Sequence, residues 1–170
     1  MSQKILEEAI NPALSRLEGH RIPVSDMAKA MLLAIGLQES NLTHRFQTVP
    51  GKFPRGPARG LFQFEALGGV RGVLQHTSTA TIAEHFALEF VGSTQEHAVW
   101  ASLAYEDVLA AIFARLFIWT DPRLLPPASP AGESAGWQIY NSVWRPGKPH
   151  PDRWPANWRS ALDIINASTI

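Results

Sequence analysis

The stretch "SDMAKAMLLAIGLQES", residues 25 to 40, decides the fold. Ala28, Met31, Leu32, Ile35 and Glu39 recur at spacings of three and four, the period of one helix face. Ser25 is suited to cap that helix, since its hydroxyl can accept from a free N–H of the first turn, and Asp26 meets the positive end of the helix dipole. A helix over 26–39 is therefore predicted, buried along its apolar stripe. Glu39 lies on the same stripe, at the negative end. Desolvation disfavours its carboxylate and the helix dipole repels it, and both push its pKa up. A carboxyl that keeps its proton near neutral pH is what a general acid needs to protonate a leaving oxygen. From position alone, Glu39 is either such an inward-facing acid or a solvated charge on a frayed helix end.

Outward from this helix, apolar period and punctuation predict the remaining elements. Residues 4 to 17 carry Ile5, Leu6, Ala9, Ala13 and Leu17 at helical spacing, with Pro12 expected to kink or end the helix. From Asn41 to Gly60 the chain is rich in Pro, Gly and Arg and reads as loop, with room for a short hairpin. Short helices are expected at about 68–76 and 81–91, and a long one over 95–119 is apolar on several sides, as a central buried helix should be. "TDPRLLPPASP" stops it, and two final helices are expected over 133–145 and 155–167, separated by "RPGKPHPDRWP". No alternating strands or internal repeats are visible. The expected class is mainly α, with residues 1–170 as a single domain.

At 170 residues the chain is long enough for one domain that buries roughly 70% of its unfolded surface. Hydrophobic residues make up 45% and charged residues 18%, a globular balance. Fifteen basic residues offset fifteen acidic ones with no block of like charge, which argues against nucleic acid or an anionic membrane as partner. The absence of cysteine excludes disulfides and thiolate metal sites. The six histidines show no ligand spacing, so neither a metal nor another cofactor is expected. The start "MSQKILEEAINPALSRL" is amphipathic and unlike a signal peptide, and no run of about 18 apolar residues could span a membrane.

"QESNL" followed by "PARGLFQF" resembles the paired motifs of the lysozyme-like superfamily, particularly the soluble lytic transglycosylases and goose-type lysozymes. The matching positions are Glu39 and Ser40, then Gly60, Leu61, Phe62 and Gln63. "WQIYNSVWRPGKP" is similar to the family's Tyr-Asn motif, with Tyr140 and Asn141 in the matching places. The loop between the first two motifs and the gap from Gln63 to Tyr140 are both longer than usual in the family. The resemblance implies a lysozyme-like fold with a cleft, a catalytic acid/base at Glu39, and substrate contacts from Ser40, Gly60, Leu61, Phe62, Gln63 and Asn141. It implies that the Tyr140 hydroxyl positions the acid and the substrate's N-acetyl group. It further implies peptidoglycan glycan strands as the partner and cleavage of their glycosidic bond. The tail "WRPGKPHPDRWPANW" is like the ends of single-domain phage-encoded members. The expectation is a monomer made in the cytoplasm that reaches the cell wall after release or in a phage particle.

Glycosidases normally use two carboxylates. Glu65 is the nearest candidate for a second; Glu106 and Asp107 read as solvated charges on the long helix, and Asp121 as a helix stop. Lytic transglycosylases are thought to manage with one carboxyl, because the substrate's N-acetyl group assists. With no evident partner for Glu39, the transglycosylase is favoured over a hydrolytic lysozyme. A chitinase-like glycosidase and a non-catalytic phage protein stay open. "GESAG" at 132–136 matches a nucleophile elbow, but "LPPASPA" before it is no buried strand. Trp137, Trp144, Trp154 and Trp158 crowd the C-terminal part and are read as core filling, although such rings also stack on sugars. Arg55 and Arg59 are either solvated loop charges or contacts for substrate carboxylates.

Overall fold

Helix α1 (Ser2–Ile5), a π-helical turn (Leu6–Ile10) and α2 (Asn11–Glu18) follow one another without interruption. The structure, a computed structural model, describes residues 2–48 and 56–168. Pro12 does not end the first helix. The turn ahead of it is wider, with the Asn11 N–H reaching the Leu6 carbonyl five residues back, and the helix runs on through the proline near its start in α2.

Helix α3 (Asp26–Ser40) starts as its sequence dictates, with the Ser25 hydroxyl accepting from the Ala28 N–H at 3.1 Å. Ala28 and the unbroken run Ala30, Met31, Leu32, Leu33, Ala34, Ile35 and Gly36 are buried, so α3 is covered on every side. Each fully buried Leu, Ile or Met there contributes about 1.5–3 kcal/mol. Asn41 takes a left-handed conformation (φ 55°) and closes the helix, its N–H bonding the Leu37 carbonyl and the Leu42 N–H bonding that of Gly36, both at 3.1 Å. Leu42 then folds over Gly36, where a Cβ would lie 2.2 Å from Leu42 Cδ2 and would push that side chain aside.

The expected loop follows, and its hairpin is reduced to isolated bridges pairing Phe46 with Arg59 and Arg59 with Phe64. Arg55 lies outside the described residues. A second π-helical turn (Ala66–Val70) leads into α4 (Arg71–Gln75), then come α5 (Ala80–Val91), α6 (Glu96–Ser102) and α7 (Asp107–Trp119). The single long helix expected over 95–119 is thus two helices, broken at 103–106. Ser102 turns its hydroxyl back to the Ala98 carbonyl, and the Tyr105 and Glu106 N–H groups both bond the Ser102 carbonyl at 2.9 Å. Arg45 fixes the break from outside: Nη1 reaches the Ala104 carbonyl at 3.2 Å and Nη2 pairs with Asp107 Oδ2 at 2.7 Å. Asp107, expected to be solvated, is therefore ion-paired.

Helices α8 (Glu133–Trp144) and α9 (Trp154–Ala167) complete the chain. α9 and α3 form the most extensive helix pair among the described residues, and α7 packs against α2, α3, α5 and α8. One hydrophobic core runs through these helices from Leu6 to Ile165. The protein is mainly α-helical, and among the described residues no helix is long and apolar enough to cross a membrane.

Candidate active site

Three segments converge on the end of α3. α8 brings Tyr140, whose hydroxyl donates to Glu39 Oε1 at 2.6 Å. The Tyr140 ring is 2% exposed and stacks on Trp154 with centroids 5.3 Å apart and planes 12° from parallel. Trp154 and Trp158 are fixed in turn, their indole N–H groups donating to the Glu133 and Ser129 carbonyls, both at 2.9 Å. The buried tryptophans thus hold α8 and α9 in the register that places the tyrosine.

The third segment is 59–64. Arg59 and Phe64 exchange two backbone hydrogen bonds of 2.9 Å around a tight turn. Gly60 sits there at φ 74°, with the Leu103 carbonyl 2.2 Å from where a Cβ would stand. Ser40 Oγ donates to the Leu61 carbonyl at 2.6 Å, and Trp144 Nε1 to that of Phe62 at 3.0 Å. The turn is therefore pinned to the ends of α3 and α8. Gln63, also left-handed (φ 49°), donates its amide to the Gly60 carbonyl at 2.8 Å and to that of His44 at 3.3 Å.

These segments border an open cavity of about 1250 Å³, lined among others by Glu39, Gln63, Glu65 and Tyr140. A second cavity of about 470 Å³, lined by Arg59 and Trp100, meets it at Glu65. The remaining expected contacts fall elsewhere. Leu61 and Phe62 are 0% and 1% exposed and Ser40 is 4% exposed, so these side chains offer no surface to a ligand; they join α3 to the turn. Gly60 is buried for the same purpose. Asn141 is exposed on α8, outside the cavity lining. Arg59 packs its guanidinium over Trp100, 4.3 Å from the ring centroid, and bonds the Ala58 carbonyl at 2.8 Å, so it is not a solvated charge.

Burial pushes the Glu39 carboxyl up to about 7, against a smaller lowering by the Tyr140 hydrogen bond. The Asn41 and Leu42 N–H groups close the Leu37 and Gly36 carbonyls at this helix end. Burial and the adjacent carboxyl also hold the Tyr140 hydroxyl well above its usual range, so it remains a donor. With Oε1 accepting from Tyr140, Oε2 is left to carry the acidic proton. The arrangement can deliver a proton to a group in the cavity and recover it at neutral pH.

Several lining residues were not expected from the sequence. Asp121, expected only to stop a helix, lines the same cavity, and both its oxygens are occupied by Arg123: Oδ1 accepts from the backbone N–H at 2.9 Å and from Nε at 2.8 Å, and Oδ2 from Nη2 at 2.5 Å. Hydrogen bonding to Arg123 holds its carboxyl below the usual range. Arg145, Lys148, His150 and Arg153 line it too, from the segment that in sequence only separates two helices. The signal was present in that segment as cations alternating with prolines. No protein-family model matches the chain, and no curated protein or solved structure matches it.

Proposed function

We propose that the chain cleaves the β-1,4 bond between MurNAc and GlcNAc in peptidoglycan, as a lytic transglycosylase with Glu39 as its one catalytic carboxyl. The observation that carries this is the Tyr140–Glu39 hydrogen bond on the cavity, joined to a carboxyl pushed up to about 7. Glu39 Oε2 gives its proton to the glycosidic oxygen as the C1–O bond breaks. The N-acetyl carbonyl oxygen of the muramyl unit closes on C1 and offsets the charge developing there. The C6 hydroxyl of the same unit then attacks C1 and reopens that ring, and ionised Glu39 takes the hydroxyl proton. The products are a 1,6-anhydro end and a free 4-hydroxyl, and the acid is restored without a cofactor. Tyr140 keeps the acid aimed and stands beside the place of the N-acetyl group.

The state of Asp121 favours this route over a hydrolytic lysozyme or a chitinase-like enzyme. A hydrolase needs a second carboxylate free to activate water or to attack, whereas the Asp121 carboxylate is held in place by three hydrogen bonds from Arg123. Glu65, exposed where the two cavities meet, is the group that would serve in the hydrolytic alternative. The third possibility is a non-catalytic phage structural or binding protein. In the favoured reading the protein is a monomer that acts on the cell wall after release or from a phage particle. Mass analysis of digested peptidoglycan is the test. Products lighter by one water than reducing ends support the transglycosylase, reducing ends mean hydrolysis, and an undigested wall removes the enzymatic reading.

A further inference from the structure

The loop 145–153, "RPGKPHPDR", borders the Glu39 cavity and presents Arg145, Lys148 and Arg153 to it, all three exposed. None of the three has a carboxylate partner among the described residues, although the cations Arg45, Arg71 and Arg123 elsewhere in the chain do. Arg145 Nε spends one donor on the Ser142 carbonyl at 3.3 Å. The acids nearest to hand do not neutralise them. Asp121 is committed to Arg123, Glu39 and Glu65 on the same cavity form no ion pair with the three among the described residues, and Asp152, the loop's own acid, is not part of the lining.

The loop is also rigid where rigidity costs something. Pro146, Pro149 and Pro151 restrict the backbone, and Arg145 (φ 47°) and His150 (φ 48°) are held left-handed at non-glycine positions. What holds it is Gln38, the residue before Glu39. Gln38 Nε2 donates to the Pro149 carbonyl at 2.9 Å and to that of His150 at 3.1 Å, and Asn157 Nδ2 fixes Gln38 Oε1 at 2.7 Å. The cations are thereby held in register with the acid at the end of α3. Three cations on one short loop beside the cavity attract an anion, and a preorganised set binds it with less ordering cost.

We propose that loop 145–153 is a subsite for carboxylates carried by the glycan. This rests on the cavity being a glycan site. Uncharged N-acetyl sugars offer these cations hydrogen-bond acceptors but no charge to pair with. Lactyl or peptide carboxylates along a strand lying over Glu39 would meet Arg145, Lys148 and Arg153, and guanidinium groups take carboxylates in paired hydrogen bonds.

The test couples charge on the ligand to charge on the protein. The Glu39→Gln protein, which cannot turn over, is titrated calorimetrically with soluble disaccharide-peptide fragments and with the same fragments after their carboxylates are amidated. Amidation is expected to weaken binding at least tenfold. With Arg145→Gln, Lys148→Gln and Arg153→Gln added, it should cost less than twofold; Lys148→Gln alone, at an exposed position beside Gly147, should give an intermediate loss and covers failure of the triple variant to fold. An equal amidation penalty in all these proteins overturns the subsite and leaves the glycan reading standing. If neither fragment binds the Glu39→Gln protein, the glycan reading falls and the subsite with it.

Discussion

Tyr140 Oη stands 2.6 Å from Glu39 Oε1, although 101 residues separate the two in the chain. The contact needs α3 to end at Ser40 and α8 to lie in one register against α9, which the Trp154 and Trp158 indoles enforce. It also splits the carboxyl into an anchored oxygen and a reactive one. Among the described residues Glu39 is the carboxyl that burial pushes up to about 7, and it is the one the Tyr140 hydroxyl reaches.

Glu39→Gln should abolish cell-wall cleavage with the fold retained. The amide can still accept from Tyr140 but carries no acidic proton, and general acid catalysis is worth about 10² to 10⁴ in rate. Above pH 7 the variant should be the more stable protein, by on the order of 2 kcal/mol after allowance for solvent at a half-buried carboxyl. Zymography and thermal melts at pH 8 check both halves, and near-normal clearing by the variant would end the proposal.

Tyr140→Phe should cost about 1 kcal/mol of stability, the usual net worth of one hydrogen bond. The catalytic loss should be larger, because the acid is no longer aimed. The hydroxyl lowers the Glu39 pKa from where burial alone would put it. Its removal should therefore move the basic limb of the pH–activity profile to higher pH. An unmoved limb would reduce Tyr140 to a packing residue.

Much of this was legible locally. The bounds of α3, α5, α8 and α9 follow from an apolar period with a cap or a proline at its edge, and Glu39 stands on such a stripe. The break between α6 and α7 carries no such mark: residues 103–106 contain neither Gly nor Pro, and the break is set by Arg45 and by the close approach of Gly60 to Leu103. The same holds for the site. Ser40, Leu61 and Phe62 fit a motif, but their burial is decided by what packs on them. Asp121 and the cations of 145–153 look like turn residues until tertiary structure turns them to the cavity.

Gly60→Ala should fail as a stability mutant rather than a binding mutant. Its φ of 74° is unfavourable for alanine, and the new methyl would meet the Leu103 carbonyl, a backbone atom that cannot swing aside. A loss of about 3 kcal/mol or more is expected, seen as a large fall in denaturation midpoint. A variant that melts normally but no longer binds glycan would return Gly60 to the substrate contacts.

Ser40→Ala should likewise act through the fold. It removes the donor to the buried Leu61 carbonyl and loosens the joint between α3 and the turn 59–64. An unpaired buried acceptor costs about 1–3 kcal/mol. Because Ser40 does not face the cavity, KM should change less than stability does. A KM raised tenfold at unchanged melting temperature would show that the hydroxyl meets substrate after all.

Both activity and stability should fall as pH rises, for one reason. The folded chain holds the Glu39 proton up to about 7, whereas an unperturbed glutamate releases it near 4.5. Between those values the unfolded chain binds fewer protons than the folded one, so stability declines with rising pH across about 4.5 to 7 and is level above it. Over the upper part of that window the acid is progressively lost, and turnover should drop with an apparent pKa near 7. Denaturation midpoints measured from pH 4 to 9 should therefore show a downward step that Glu39→Gln removes. Retention of the step in that variant would assign the ionisation to another group.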